Sequence, residues 1–287
     1  MTVNIGRLGV WVTSRLIDAW SPEKLGEIAA DWERAGYGAV WVGGVRGDLP
    51  TAEPVLAATD HFAYATGIVN VWTQPAEVAA AAYHRVDAAY PDRLLLGVGA
   101  GHREANAGQG YQKPYEKLVE YLDELANASK PVPAENTALA ALGPKVLALA
   151  GRRTAGAHPY LTTPEHTRRA REVLGDGPLL APEQKVVVET DPAKARAIAR
   201  PTVARYLGLA NYVANLRRLG FTDDDFADGG SDRLVDALVA WGDVDAIGAR
   251  VRAHHDAGAD HVCLQLLSEA PSPDPRLWRE LGEALAG

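Results

Sequence analysis

Between Ser21 and Gly36 apolar residues recur at Leu25, Ile28, Ala29 and Trp32, the spacing of one helix face. The apolar run that follows, AVWV, is continuous, as in a strand buried on both sides. Ser21 suits an N-cap and Pro22 the first helical turn, while Gly36 and Gly38 stop the helix. Residues 242–267, GDVDAIGARVRAHHDAGADHVCLQLL, repeat the plan. An acidic first turn is followed by Ile247 and Val251 on the core face, AGA as the stop and HVCLQLL as the strand. Such helix–glycine–strand units belong to alternating parallel α/β folds.

The alternation continues between these two segments. Strands are expected at IGRLGVW (5–11), FAYATGIVNVW (62–72), LLLGVG (94–99), ALAAL (138–142), GAHPYL (156–161) and QKVVVET (184–190). Helices are expected at PAEVAAAAYHRVDAAY (75–90), KPYEKLVEYLDELANA (113–128), KVLALAGRR, PEHTRRAREVLG and DPAKARAIARPTVARYLGL. SKPVPAEN (129–136) reads as a loop, and GFTDDDFADGGSD (220–232) as a surface connection before a helix RLVDALVAW. With AVWV and HVCLQLL the strands number eight, and 287 residues over eight units is the size of a (β/α)8 TIM barrel, here expected as one domain over 1–287.

Charge and cysteine usage narrow the function. A formal net charge of −8 counts against a nucleic-acid or anionic-membrane partner. The N-terminus carries no basic region followed by an apolar stretch, and no run approaches a membrane span, so a soluble cytoplasmic protein is expected. Cys263 stands alone, which leaves no internal disulfide and no cysteine-based zinc site.

GVGAGH, at the end of the fourth expected strand, resembles a nucleotide loop at first sight. A dinucleotide fingerprint needs G-x-G-x-x-G, and both reading frames fail, at His102 and at Glu104. In a barrel this turn lies at the C-terminal face, where active sites are built. Alternate glycines there let a flat ligand approach the backbone, or simply relieve crowding inside the barrel. His102 follows the turn and could handle a proton near neutral pH; it would otherwise be an ordinary loop histidine. Trp11, Trp41 and Trp72 lie in or after the first three strands and could line a pocket, or be core. The first strand carries no metal ligand, and His61 and His261 fall at the opposite, stability face, so no metal site is expected. His254 and His255 sit on a helix and read as solvated. No G-x-S-x-G elbow and no P-loop is present.

TGIVNVWTQPAEVAAAA, YPDRLLLGVGAGH, LAALGPKVLALAGRRTAGAHPYLTTPEHT and WGDVDAIGARVRAHHDAGADHVCLQLL, in that order, resemble the bacterial-luciferase-like flavin and deazaflavin oxidoreductases, and within them the coenzyme F420-dependent subgroup. The resemblance implies a luciferase-like barrel and hydride transfer between C5 of the deazaflavin and a small organic substrate. FMN is the alternative cofactor, in a monooxygenase fed by a separate reductase; a non-catalytic flavin-binding barrel is a third reading. It also implies a homodimer.

By the same resemblance TGIVN is the bulge behind the ring, with a cis peptide expected at Gly67–Ile68 and Asn70 facing the ring edge. Gly99, Ala100, Gly101 and His102 would lie beside the ring, with His102 as the catalytic proton donor or acceptor. Leu142, Gly143 and Pro144 would hold the phosphate-bearing tail, and His158 and Tyr160 would complete the pocket. Two departures stand out. Sugar-phosphate dehydrogenase relatives carry a glutamate in place of His102 and a histidine where this chain has VGGVRG, which counts against glucose-6-phosphate as substrate. Arg46 and Arg103 are the only charges that can be placed at the rim from sequence.

Overall fold

The computed structural model describes residues 3–106, 108, 110–270 and 272–286. Its strands are β1 (Leu8–Thr13), β2 (Ala39–Gly43), β3 (Ala63–Thr66), β4 (Val69–Asn70), β5 (Leu94–Gly99), β6 (Thr137–Leu139), β7 (Gly156–Ala157), β8 (Leu179–Leu180), β9 (Glu183–Val188), β10 (Val239–Gly242) and β11 (Val262–Leu266). The pairing runs β10-β9-β11-β1-β2-β3-β5-β6-β7-β8, with β4 on β5, and every pair is parallel. β8 and β9 are two halves of one strand across Ala181–Pro182. The first half pairs with β7 and the second with β11, so the ring closes. The eight expected strands form this ring, and the chain is a TIM barrel.

Helices flank the ring because each presents one apolar stripe. In Pro22–Arg34 the Ser21 hydroxyl accepts the Lys24 N–H, Pro22 opens the helix, and Leu25, Ala29 and Trp32 are buried. Between ring and helices lies the larger core, including Val10, Val40, Val42, Leu94 and Leu96. Inside the ring the side chains are different: alanines 63, 65, 138 and 181 surround Trp11, Trp41 and Leu95. Small residues leave the interior room for the two indoles. Gly97 serves closeness here: a Cβ would lie 1.9 Å from the Thr66 carbonyl oxygen on β3.

Several boundaries differ from the sequence reading. The expected strand 62–72 breaks at Gly67–Ile68, where the peptide is cis, and resumes as β4 against β5. The expected strand 5–11 begins at Leu8 and runs on to Thr13. RLVDALVAW is not one helix: it turns extended at Val239 to form β10 against Lys185–Val188. An unexpected helix, Ala210–Arg218, follows the helix Pro192–Leu207 and lies over the C-terminal end of the barrel. The connection 220–232 contains a short helix, Asp223–Phe226, closed by a capping box between Thr222 and Asp225. His254 is not solvated. It is fully buried between Thr167 (2.8 Å) and Gln184 (2.9 Å), while His255 is partly buried. Among the described residues no helix is long and apolar enough to cross a membrane.

Candidate active site

A cavity of about 730 Å³ opens at the C-terminal ends of the strands. Trp11 and Thr13 enter it from β1, Gly67, Ile68 and Asn70 from the β3–β4 break, and Ala100, Gly101 and His102 from the turn after β5. Leu142, Gly143, His158 and Tyr160 come from the next two strand ends. The structure thus brings most of the expected site residues to one space.

Others stand elsewhere. Gly99 is packed beneath the wall, where a Cβ would come 2.9 Å from that of Ala140. Pro144 opens the helix Pro144–Arg153 without facing the cavity. Two of the three tryptophans need correcting as pocket residues. Trp41 is fully buried because the His158 ring lies across it, stacked at 4.1 Å. Trp72 is partly buried behind Tyr111, at 5.1 Å, and is not part of the wall.

Paired indoles and imidazoles make the floor. The Trp11 Nε1–H donates to His158 Nε2 (3.3 Å), while His158 Nδ1–H donates to the Ala181 carbonyl (2.7 Å). Below it, Trp41 Nε1–H donates to His261 Nε2 (3.1 Å), and His261 Nδ1–H donates to the Gly6 carbonyl (2.9 Å). An indole N–H has no lone pair to offer, so both histidines are held as the neutral Nδ1–H tautomer. Burial pushes each down to about 4. His158 therefore shapes the pocket and fixes Trp11, and stays uncharged near neutral pH.

His102 is different. Its Nδ1 is buried without a hydrogen-bond partner, which is unusual for a polar atom in a folded chain. Burial lowers its pKa, against the opposing pull of the Glu104 charge and a hydrogen bond with Asn211. The ring stands 5.5 Å from Tyr212 and 6.2 Å from Tyr206. Gly101, just before it, has φ +59°, and a Cβ there would meet the amide nitrogens of Asn70 and Asn106 at 3.0 Å. Asn70 also braces this turn: it donates to Asn106 Oδ1 (3.0 Å) and accepts the Trp72 N–H (3.0 Å). One N–H and one lone pair of its amide remain for a ligand.

Positive charge gathers at one side of the mouth. The helix Pro144–Arg153 starts at Gly143 with no side-chain cap; Pro144 has no N–H and the Val146 N–H is taken by the Gly143 carbonyl (3.1 Å), which leaves the Lys145 N–H open. Lys145 lines the cavity there and makes no ion pair among the described residues. The Arg218 guanidinium lies 4.0 Å from where a Cβ on Gly143 would be. Arg46 lines the rim but is paired with Asp48, and Arg103, expected at the rim, is not part of the wall. Lys145 and Arg218 escaped the sequence reading because neither lies at a strand end.

Tyr206 and Tyr212 were missed for the same reason. They reach the cavity from the helix Pro192–Leu207 and the helix Ala210–Arg218, outside the repeating unit. Beneath them lies a fully buried ion pair, Lys185 Nζ to Glu183 Oε1 (3.0 Å), also not anticipated.

The sequence profile of the luciferase-like monooxygenase family matches residues 7–261. The chain belongs to that family. No curated protein sequence gives a match. Among solved structures, the chain is similar to a coenzyme F420-dependent tetrahydromethanopterin reductase from Methanopyrus kandleri, at 17% identity and TM-score 0.74 over 98% of this chain and 99% of that one. It is similar to an F420-dependent secondary alcohol dehydrogenase in complex with an F420-acetone adduct, at 16% identity and TM-score 0.73 over 98% and 99%. It is also similar to the oxygenating constituent of 3,6-diketocamphane monooxygenase from Pseudomonas putida in complex with FMN, at 14% identity and TM-score 0.65 over 99% and 97%. At these identities the likeness is one of fold.

Proposed function

We propose that the protein is a coenzyme F420-dependent oxidoreductase acting on a small organic substrate. The fold is shared by F420-dependent and FMN-bound neighbours, so the choice between cofactors rests on this chain's own residues. The observation that carries it is the charge at the mouth. An uncapped helix start with Lys145 and Arg218 beside it offers more than one phosphate needs, and suits the longer polyanionic tail of F420. Gly67–Ile68 and Ala100–His102 line the cavity side by side, at the ends of adjoining strands, and a flat ring laid against them would meet mostly backbone. When bound, the deazaflavin supplies a ring carbon that gives or accepts a hydride. The chain's part is to hold the ring on the bulge at Gly67–Ile68, to keep the tail at Gly143–Lys145, and to move a proton at the His102 imidazole.

Fluorescence titration of the purified protein with F420 and with FMN tests this. F420 is expected to bind at least about tenfold more tightly than FMN, with Lys145→Ala removing about tenfold of the F420 affinity and little of the FMN affinity. Micromolar FMN binding with none for F420 would overturn the assignment. In the same titration His102→Ala is expected to leave F420 affinity within about threefold of wild type, since an interaction that acts only on the reacting proton contributes little to ground-state binding. A large loss would mean that His102 holds the ring.

A further inference from the structure

Trp11, Tyr160, Tyr206 and Tyr212 form one aromatic group in the cavity wall. Ring centroids lie 4.8 Å apart for Trp11–Tyr160, 5.3 Å for Tyr160–Tyr206 and 4.8 Å for Tyr206–Tyr212. Each side chain carries one polar hydrogen, and in all but one it is in use. Trp11 Nε1–H donates to His158 Nε2 (3.3 Å). Tyr160 O–H donates to Gln265 Oε1 (2.7 Å), an oxygen that the Lys185 ammonium also holds (2.8 Å). Tyr206 O–H donates to the Tyr160 oxygen (3.1 Å). Tyr212 is the exception. Its side chain is buried, yet its hydroxyl makes no hydrogen bond among the described residues and is not sealed from the cavity. It is free to donate to an occupant of the cavity without first breaking a bond inside the protein.

Its place relative to His102 is held. The two rings lie 5.5 Å apart. Tyr212 stands in the first turn of the helix Ala210–Arg218, and the Ala210 N–H at its start donates to Glu104 Oε1 (3.2 Å), two residues beyond His102. The helix that carries the phenol is thereby tied to the turn that carries the imidazole. Burial pushes the Tyr212 pKa well above the ordinary 10, so the phenol keeps its proton through neutral pH and acts as a donor, not as a base.

Hydride transfer at a carbon bonded to oxygen or nitrogen moves an electron pair onto that heteroatom in one direction and off it in the other. The heteroatom is therefore partly anionic in the transition state both ways, and a donor aimed at it acts more strongly there than on the ground state. We propose that Tyr212 is a further catalytic residue, whose hydroxyl donates to the substrate oxygen or nitrogen on which this charge develops. The hydride and its electron pair pass between the substrate carbon and the cofactor, the proton passes between the heteroatom and His102, and Tyr212 keeps its own proton throughout. The inference rests on the cavity being the site of the hydride-transferring enzyme proposed above, but not on the direction of transfer.

The test uses 4-cyanophenol labelled with 13C at the carbon that bears the oxygen, whose NMR shift reads whether the bound ring is phenol or phenolate. Titrating the probe on cofactor-loaded protein gives its pKa in the cavity. A hydrogen bond to the anion is roughly twice as strong as one to the neutral phenol, so Tyr212→Phe is expected to raise the bound pKa by about one. Tyr206→Phe should raise it by clearly less, because that hydroxyl reaches a ligand only by leaving Tyr160. A merely structural role for Tyr212 would weaken the binding of both forms and leave the pKa in place. Removing an unbonded hydroxyl should also leave the melting temperature unchanged, so the variant is read on folded protein.

An unchanged bound pKa in Tyr212→Phe overturns the proposal. So does an equal or larger rise in Tyr206→Phe, or a wild-type cavity that does not take up the probe. The cofactor titration decides the cofactor alone, and the probe is read on whichever loaded form it gives, so the two readings fail separately.

Discussion

Lowering the pH from about 7.5 to about 4.5 is expected to depress the melting temperature steeply, with about three protons taken up per chain on unfolding. Three buried histidines set this. His158 and His261 are pushed down to about 4 and His254 to about 3, all mainly by burial, from the ordinary 6.5. The sign follows from the lowered folded values. The unfolded chain gains protons first as the pH falls through 6.5, while the folded chain still resists them. The stability held above that pH is therefore lost progressively towards 4, and for His254 towards 3. At about pH 4.5 each histidine has withdrawn roughly 2.4 kcal/mol, or on the order of 7 kcal/mol for the three. That rivals the whole stability of an ordinary domain, about 5–15 kcal/mol. Geometry gives the same answer for the first two, because a proton on Nε2 would point at the N–H of Trp11 or of Trp41. The carboxylates of Glu33 and Asp236, whose pKa values are lowered, add loss of the same sign at more acid pH. Thermal melts followed by circular dichroism across this range check the expectation. A melting temperature that stays flat down to about pH 5 would refute it.

These histidines also show where the sequence was readable and where it was not. The helix–glycine–strand rhythm was plain at 21–44 because a helical period, a cap and a glycine stop all agree there. It failed at RLVDALVAW, where an apolar run with no stop signal reads as helix although its end pairs with β9. Topology then placed GVGAGH and the TGIVN bulge at the active face, since every parallel barrel strand ends there. What topology could not supply was depth. Trp11 and Trp41 are register partners on neighbouring strands and both point inward, yet only Trp11 reaches the cavity, because His158 covers the other. That cover comes from a residue about 120 positions away and leaves no local trace. Tyr206 and Tyr212 were hidden for a similar reason: they sit on helices added to the repeat, with no motif of their own. Glu183 and Lys185 gave no signal of their own. Charges on alternate strand positions suggest a solvated face, whereas here that face is the barrel interior.

Lys185→Met is expected to be the most damaging single substitution in the barrel, costing about 3–5 kcal/mol, because it leaves the partner charge buried and unpaired. Both side chains are 0% exposed. Burial raises the Glu183 pKa and lowers that of Lys185, and each charge is what holds the other in its ionised form. Without Lys185 the Glu183 carboxylate keeps one hydrogen bond, from the Leu161 N–H at 2.9 Å. It must then take up a proton or draw in water. Leu161 has φ +52°, a conformation unfavourable for leucine, and that hydrogen bond helps to hold it there. A second change separates the lost charge balance from lost packing. Lys185→Met combined with Glu183→Gln removes both charges, keeps an oxygen for the Leu161 N–H and leaves the volume nearly unchanged. It should recover at least about half of the loss. Urea unfolding at neutral pH measures both variants, with the midpoint expected to fall sharply for the single change and to return part of the way for the double. If the double variant is no more stable than the single, the cost lies in packing around the lysine stem and the charge argument fails.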